Sequence, residues 1–146
     1  MIVLDASAVV ELVLWTERGR RVGDAIARDR SLHVPELMVV EVGSVLRRLV
    51  AQGVVSEAMG ADHLESVRQM PAERYGHDVL MGRAFELCHN LTMYDAVYVA
   101  LAESLAATLL TFDSRLAAHL VTVPTSWCRS RRRLQRHFAT AASSSR

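Results

Sequence analysis

The sequence predicts an α/β protein, a three-layer α/β/α sandwich built on a short parallel sheet. Three observations point there. The apolar runs "IVL" at 2–4 and "ATLLTF" at 107–112 are too brief for helices, and each meets an acid, Asp5 or Asp113. Between them lie longer segments whose apolar residues recur at helical spacing. Strands that are apolar throughout and alternate with helices read as a parallel sheet covered on both faces. With 146 residues the chain can bury one substantial core without disulfides or a structural metal.

The elements follow in order. Residues 2–4 form a strand, and Ser7 is placed to cap a helix running to about Leu14. "RGRRVGDAIARD" continues helically, and "SLHVP" is a strand stopped by Pro35. From Glu36 to about Gln52, Leu37, Val40, Val45 and Leu49 recur at helical spacing, and Gly53 ends the helix. Ser56 is an N-cap for "EAMGADHLESVRQM", "MPAERY" is extended, and His77–Cys88 is helical until "HNL" breaks it. Thr92 caps the next helix, which reaches about Leu105 and carries Asp95 at its N3 position. "ATLLTFD" is a strand ending in an acid, "SRLAAHL" a short helix, and "VTV" a last strand.

Composition narrows the chemistry. All 17 basic residues are arginine, so a Walker A loop and a Schiff-base lysine are both excluded. No GxGxxG, HExxH or paired CxxC occurs, and the six histidines lack ligand-like spacing, which reads as surface or satisfied histidines. Cys88 and Cys128 are too few for a thiolate site or a disulfide framework and read as free thiols of a reducing cytosol. No uncharged apolar run approaches the ~20 residues of a membrane span, and "MIVLD" lacks the basic start of a secretory signal. A cytoplasmic protein is expected.

Charge is distributed unevenly. Residues 1–128 hold all 16 acids against eleven arginines, a net −5, while the last 18 residues hold six arginines and no acid. The body spans residues 1–123, followed by a basic tail at 124–146 that reads as flexible from its Ala/Ser-rich end. An acidic body meets a nucleic acid only through a cation or a basic patch.

Four acids lie next to apolar segments rather than on polar faces: Asp5, Glu41, Asp95 and Asp113. Any one alone is explained by capping, as for Asp95 at a helix N-terminus. Together, with two of them at strand ends where a parallel sheet places its functional crevice, they suggest convergence. Carboxylates within roughly 6 Å repel and burial penalises them further, a conflict that a divalent cation removes. Oxygen donors without His or Cys suit Mg²⁺ or Mn²⁺. Two such ions about 3.5–4 Å apart can activate water against a phosphodiester.

"MIVLDASAVVELVL", "VPELMVVEVGSVLRRLV", "RAFELCHNLTMYDAVYVALAE" and "ATLLTFDSRLA" resemble the PIN-domain ribonucleases, specifically VapC-type toxins, from Met1 to about Leu120. The resemblance maps the family's acidic quartet onto Asp5, Glu41, Asp95 and Asp113, with Ser7 and Thr111 at hydroxyl positions beside them. It implies metal-dependent endonucleolytic cleavage of RNA, a VapB-type antitoxin as restraining partner, and a homodimer. Asp5, Asp95 and Asp113 are then the expected contacts to Mg²⁺ (or Mn²⁺), and Glu41 a general base or a positioner of water. Arg47, Arg48 and Arg115 are candidates to flank the groove and guide RNA. In the tail, Arg129, Arg131, Arg132, Arg133 and Arg136 either contact RNA phosphates or are simply solvated.

Two rivals fall on sequence grounds. A response-regulator receiver needs a lysine, and a haloacid-dehalogenase-type phosphatase needs a second acid where Ser7 stands. The remaining alternative is a catalytically silent binding module that uses the acidic pocket for a structural cation or a partner's arginine.

Overall fold

In the computed structural model, residues 1–120 are described, with side chains described to residue 117. The element order is β1 (Ile2–Leu4), α1 (Ala6–Val13), α2 (Glu17–Arg28), β2 (Leu32–Pro35), α3 (Leu37–Ala51), α4 (Glu57–Gln69), β3 (Glu73–Tyr75), α5 (Asp78–Leu87), α6 (Met93–Leu105), β4 (Thr108–Leu110) and α7 (Ser114–Leu120). The expected strand "VTV" and the basic tail lie outside the described residues.

All strand pairings are parallel, in the order β3-β2-β1-β4. The α/β/α architecture expected from alternation is therefore the one observed. β1 is buried at every position because it sits inside the sheet, which explains why "IVL" carries no polar residue. Chain direction across the sheet reverses between β1 and β4. The crevice at their carboxyl ends is thus the topological switch point, where α/β proteins place their sites.

The helices pack as two groups, α1 to α4 and α5 to α7, with α6 lying on β1, β2 and β4. From Ala96 to Ala102 every residue of α6 is buried. Its alanines, Ala96, Ala100 and Ala102, allow this helix to approach its neighbours closely. Arg83 of α5 joins Glu103 of α6 at 2.7 Å, tying the pair together at its rim.

Two details correct the sequence expectation. Asp5, not Ser7, is the N-cap of α1, and its carboxylate accepts from the Ser7 N–H. On α3 the buried stripe is Met38, Val42 and Leu46, whereas Val40 is 70% exposed and Leu37, Val45 and Leu49 are only half-buried. A helix apolar on nearly all sides offers more than one helical stripe, and tertiary packing selects among them. The caps at Ser56 and Thr92 stand as expected, each accepting from a first-turn amide.

One histidine is built into the sheet. His33 is buried on β2, with Nδ1 2.8 Å from the Tyr75 hydroxyl and Nε2 2.9 Å from Ser31 Oγ. Burial holds His33 below its ordinary pKa, although Glu73 and Asp29 favour its charged form, and burial pushes the Tyr75 hydroxyl up to about 12. The folded state therefore prefers neutral His33. Its contribution to stability is fully present above the unfolded value near 6.5 and is lost as pH falls below it. Melting curves taken from pH 8 down to 5 should show a decline below that value that is shallower in His33→Gln.

Candidate active site

Asp5 follows β1 directly, and its N–H donates to the Leu110 carbonyl at 3.0 Å, extending the β1–β4 ladder by one rung. The chain then turns into α1 so that the carboxylate stays at the crevice, only 7% exposed. Its Oδ2 accepts from the Ser7 amide at 3.2 Å, Ser7 Oγ at 2.5 Å and Thr111 Oγ1 at 2.9 Å. Among the described residues Oδ1 receives no hydrogen bond. One oxygen is anchored and the other faces the crevice.

Ser7 and Thr111 do more than hold Asp5. Ser7 Oγ accepts from the Phe112 N–H and Thr111 Oγ1 from the Asp113 N–H, both at 2.9 Å. The two hydroxyls thereby clamp the turn after β4 against the turn after β1, a role fitting small hydroxyl residues that both donate and accept. Asp113 lies three residues beyond β4, at the start of α7, not at the strand end that the sequence suggested. β1 and β4 are adjacent, so the two acids still meet at one crevice.

Asp95 sits in the first turn of α6. Its N–H donates to Thr92 Oγ1 at 3.2 Å, and that hydroxyl donates back to Asp95 Oδ2 at 2.7 Å. Glu41 reaches in from α3, and Oε2 accepts from the Tyr98 hydroxyl at 2.5 Å. Tyr98 is a residue that sequence reasoning missed. It lies three positions after Asp95 on the same helix face, but an aromatic in a buried apolar helix reads as core.

The electrostatics connect these groups. Burial pushes the Glu41 carboxyl above its ordinary pKa; the Tyr98 hydroxyl opposes this, while the negative charges of Asp5 and Asp95 reinforce it. The Tyr98 hydroxyl is itself pushed up, by burial first and then by Glu41 and Asp5. Asp5, Glu41 and Asp95 thus share one field. The N-terminal ends of α1, α6 and α7 point at Asp5, Asp95 and Asp113, and their positive dipole ends offset part of the repulsion.

Asp113 is neutralised differently. Arg115 donates to it from its backbone N–H at 2.8 Å and from Nη2 at 3.1 Å, and this pairing holds the Asp113 carboxyl below the usual range. Asp95 also acts on Arg115, so the guanidinium lies within reach of two of the four acids. Arg115, a candidate to guide RNA, is paired with Asp113. Arg47 and Arg48 stand exposed on α3, two turns beyond Glu41. Among the described residues, no three His, Cys, Asp or Glu side chains gather tightly enough to hold a metal ion as they stand.

Raising the Glu41 pKa above 4.5 means that its ionised form costs folding energy at neutral pH. Glu41→Gln should therefore add on the order of 1 kcal/mol of stability at pH 7. The gain should shrink as pH falls toward 4.5, where the wild-type carboxyl also becomes neutral. Paired thermal melts at pH 7 and 4.5 check both the sign and the convergence.

An α/β/α domain with acids gathered at the switch point defines the class, and comparison with known proteins gives the family. Residues 2–119 match the PIN domain. The chain is 42% identical to Ribonuclease VapC9 of Mycobacterium tuberculosis over 117 residues, covering 80% of this chain and 89% of that protein. It is 38% identical to Ribonuclease VapC1 of the same organism, with 80% and 88% covered. The crystal structure of PAE2754 from Pyrobaculum aerophilum superposes with a TM-score of 0.62 at 28% identity, covering 80% of this chain and 77% of that one. The chain belongs to the PIN-domain family, among the VapC ribonucleases.

Proposed function

We propose that this protein is a divalent-metal-dependent endoribonuclease and the toxin of a toxin–antitoxin pair, restrained by a VapB-type antitoxin. The observation that carries this reading is the shared field of Asp5, Glu41 and Asp95, with Asp113 hydrogen-bonded through Thr111 into the same crevice. The donor set fits a hard cation: carboxylates, with Ser7 and Thr111 hydroxyls behind them and, among the described residues, no thiolate or imidazole bonded to them. Asp5, through its unanchored Oδ1, would hold Mg²⁺ or Mn²⁺ together with Asp95 and Asp113. The cation supplies, when bound, the charge that neutralises a phosphodiester and the acidity that activates water.

The chain's own residues do the rest. Tyr98 fixes Glu41 Oε2, and Oε1 would then orient a water molecule or take its proton. Ser7 and Thr111 hold Asp5 and Asp113 at fixed separation. Arg115 leaves Asp113 at little cost, because an exposed ion pair contributes only about 0–1 kcal/mol, and is then available to a phosphate. Arg47 and Arg48 extend the cationic path along α3. A homodimer in the cytoplasm completes this reading. Among the described residues no helix is long and apolar enough to cross a membrane.

One observation favours the alternative, a silent module that accepts a structural cation or a partner's arginine: an arginine, Arg115, already occupies Asp113. A single experiment separates the two readings. The purified protein is incubated with transfer, ribosomal and messenger RNA in Mg²⁺ or Mn²⁺, with EDTA in parallel. Cleavage that EDTA abolishes is expected; no cleavage of any RNA rejects the ribonuclease, and equal cleavage in EDTA rejects its dependence on a divalent metal. Growth arrest on expression, relieved by a small co-expressed partner, tests the toxin assignment separately.

A further inference from the structure

We propose that Phe112 and Arg18 form a platform on which an unpaired RNA base stacks beside the cleavage site, with the base edge read in the cleft behind Arg18. This rests on the ribonuclease reading above and adds how its substrate is held. Phe112 lies between Thr111 and Asp113, and its N–H is fixed to Ser7 Oγ at 2.9 Å. The turn that carries the ring is therefore locked to the acidic site. The ring remains 37% exposed and takes no part in the core.

Arg18, from the first turn of α2, places its guanidinium carbon 5.6 Å from the centre of the Phe112 ring. Two distant segments thus present an aromatic face and a planar cation together at the lip of the crevice. Unpaired bases stack on aromatic rings and on guanidinium planes alike.

Arg18 also lines a cleft of about 360 Å³ formed with Glu11, Thr16, Glu17 and Arg21. Its charges cancel in pairs: Arg18 lies 3.7 Å from Glu11 and Arg21 lies 3.2 Å from Glu17. Such a cleft has no net attraction for a phosphate. It offers donors and acceptors side by side, which suits the uncharged hydrogen-bonding edge of a base.

The test uses unpaired RNA oligonucleotides in which a single abasic position is moved along the strand. Binding is measured in Ca²⁺, so that strands stay intact, and cleavage is measured in Mg²⁺. Phe112→Ala should weaken binding about tenfold, as loss of one base–aromatic stack implies. KM should rise with little change in kcat, and Phe112→Trp should restore both. One abasic position should weaken wild-type binding about tenfold yet leave Phe112→Ala unaffected. If wild type cuts RNA and Phe112→Ala matches it in Kd and KM, the platform is overturned while the ribonuclease stands. Abasic losses that are equal in both proteins at every position also overturn it, as does a Phe112 dependence seen only with a protein partner. If wild type neither binds nor cuts any RNA, the ribonuclease reading fails and the platform with it.

Discussion

Asp5→Asn should lower RNA cleavage about a thousandfold or more while leaving the fold intact. Three donors converge on Oδ2, from the Ser7 amide, Ser7 Oγ and Thr111 Oγ1. In the variant these donors select the amide oxygen for that position. The NH₂ group then takes the place of Oδ1 and points its protons into the crevice. A carboxylate oxygen that would face a cation becomes a pair of donors that repels one. Loss of several kcal/mol of charge stabilisation in the transition state corresponds to about three orders of magnitude in rate. Asparagine is as good an N-cap as aspartate, so the melting temperature should shift by no more than a few degrees. Single-turnover cleavage and a thermal melt on the same preparation measure both. A large loss of Tm would mean that Asp5 is chiefly structural.

Gly19→Ala should have the largest effect on stability. α2 crosses α1 so closely that a Cβ on Gly19 would lie 2.0 Å from the Glu11 carbonyl oxygen and 2.9 Å from the Leu12 Cα. Those atoms are backbone, so no side chain can swing aside, and the two helices would have to separate. Overpacking of this kind costs about 3 kcal/mol, or a fall of about 10 °C in Tm for a domain of this size. Gly23, one turn further along α2, is the internal control. A Cβ there meets only the end of the Leu12 side chain at 3.9 Å. Gly23→Ala should hold or raise Tm, since alanine favours a helix over glycine by about 1 kcal/mol. Equal Tm values for the two variants would contradict the close crossing. The crossing also bears on the candidate site, because Asp5 caps α1 and α2 carries Arg18.

Local chemistry made much of this structure legible in the sequence. Short apolar runs were strands because a parallel sheet buries both faces. Ser56 and Thr92 capped helices because their hydroxyls satisfy first-turn amides, a purely local event. The four acids stood out because each broke an apolar segment. What failed to appear was tertiary in origin. "LMVVEVGSVL" is apolar around most of its circumference, so only packing decided that Met38, Val42 and Leu46 face inward and Val40 outward. The run "TLLTFD" predicts Asp113 at a strand end, but β4 stops at Leu110 and the next residues turn to clamp Asp5 through Thr111. Tyr98 does not stand out as a site residue because its ring is core and only its hydroxyl reaches Glu41. The pairing of Arg115 with Asp113, two residues away, is likewise set by side-chain geometry that the sequence does not display.

The acids at the switch point are expected to bind a divalent cation together. Isothermal titration of Mn²⁺ into the metal-free protein, without RNA, tests it directly, with Asp5→Asn and Asp95→Asn titrated alongside. Saturable binding in wild type that is lost in both variants is the predicted result. Absence of binding to wild type, or equal binding in all three proteins, would contradict it.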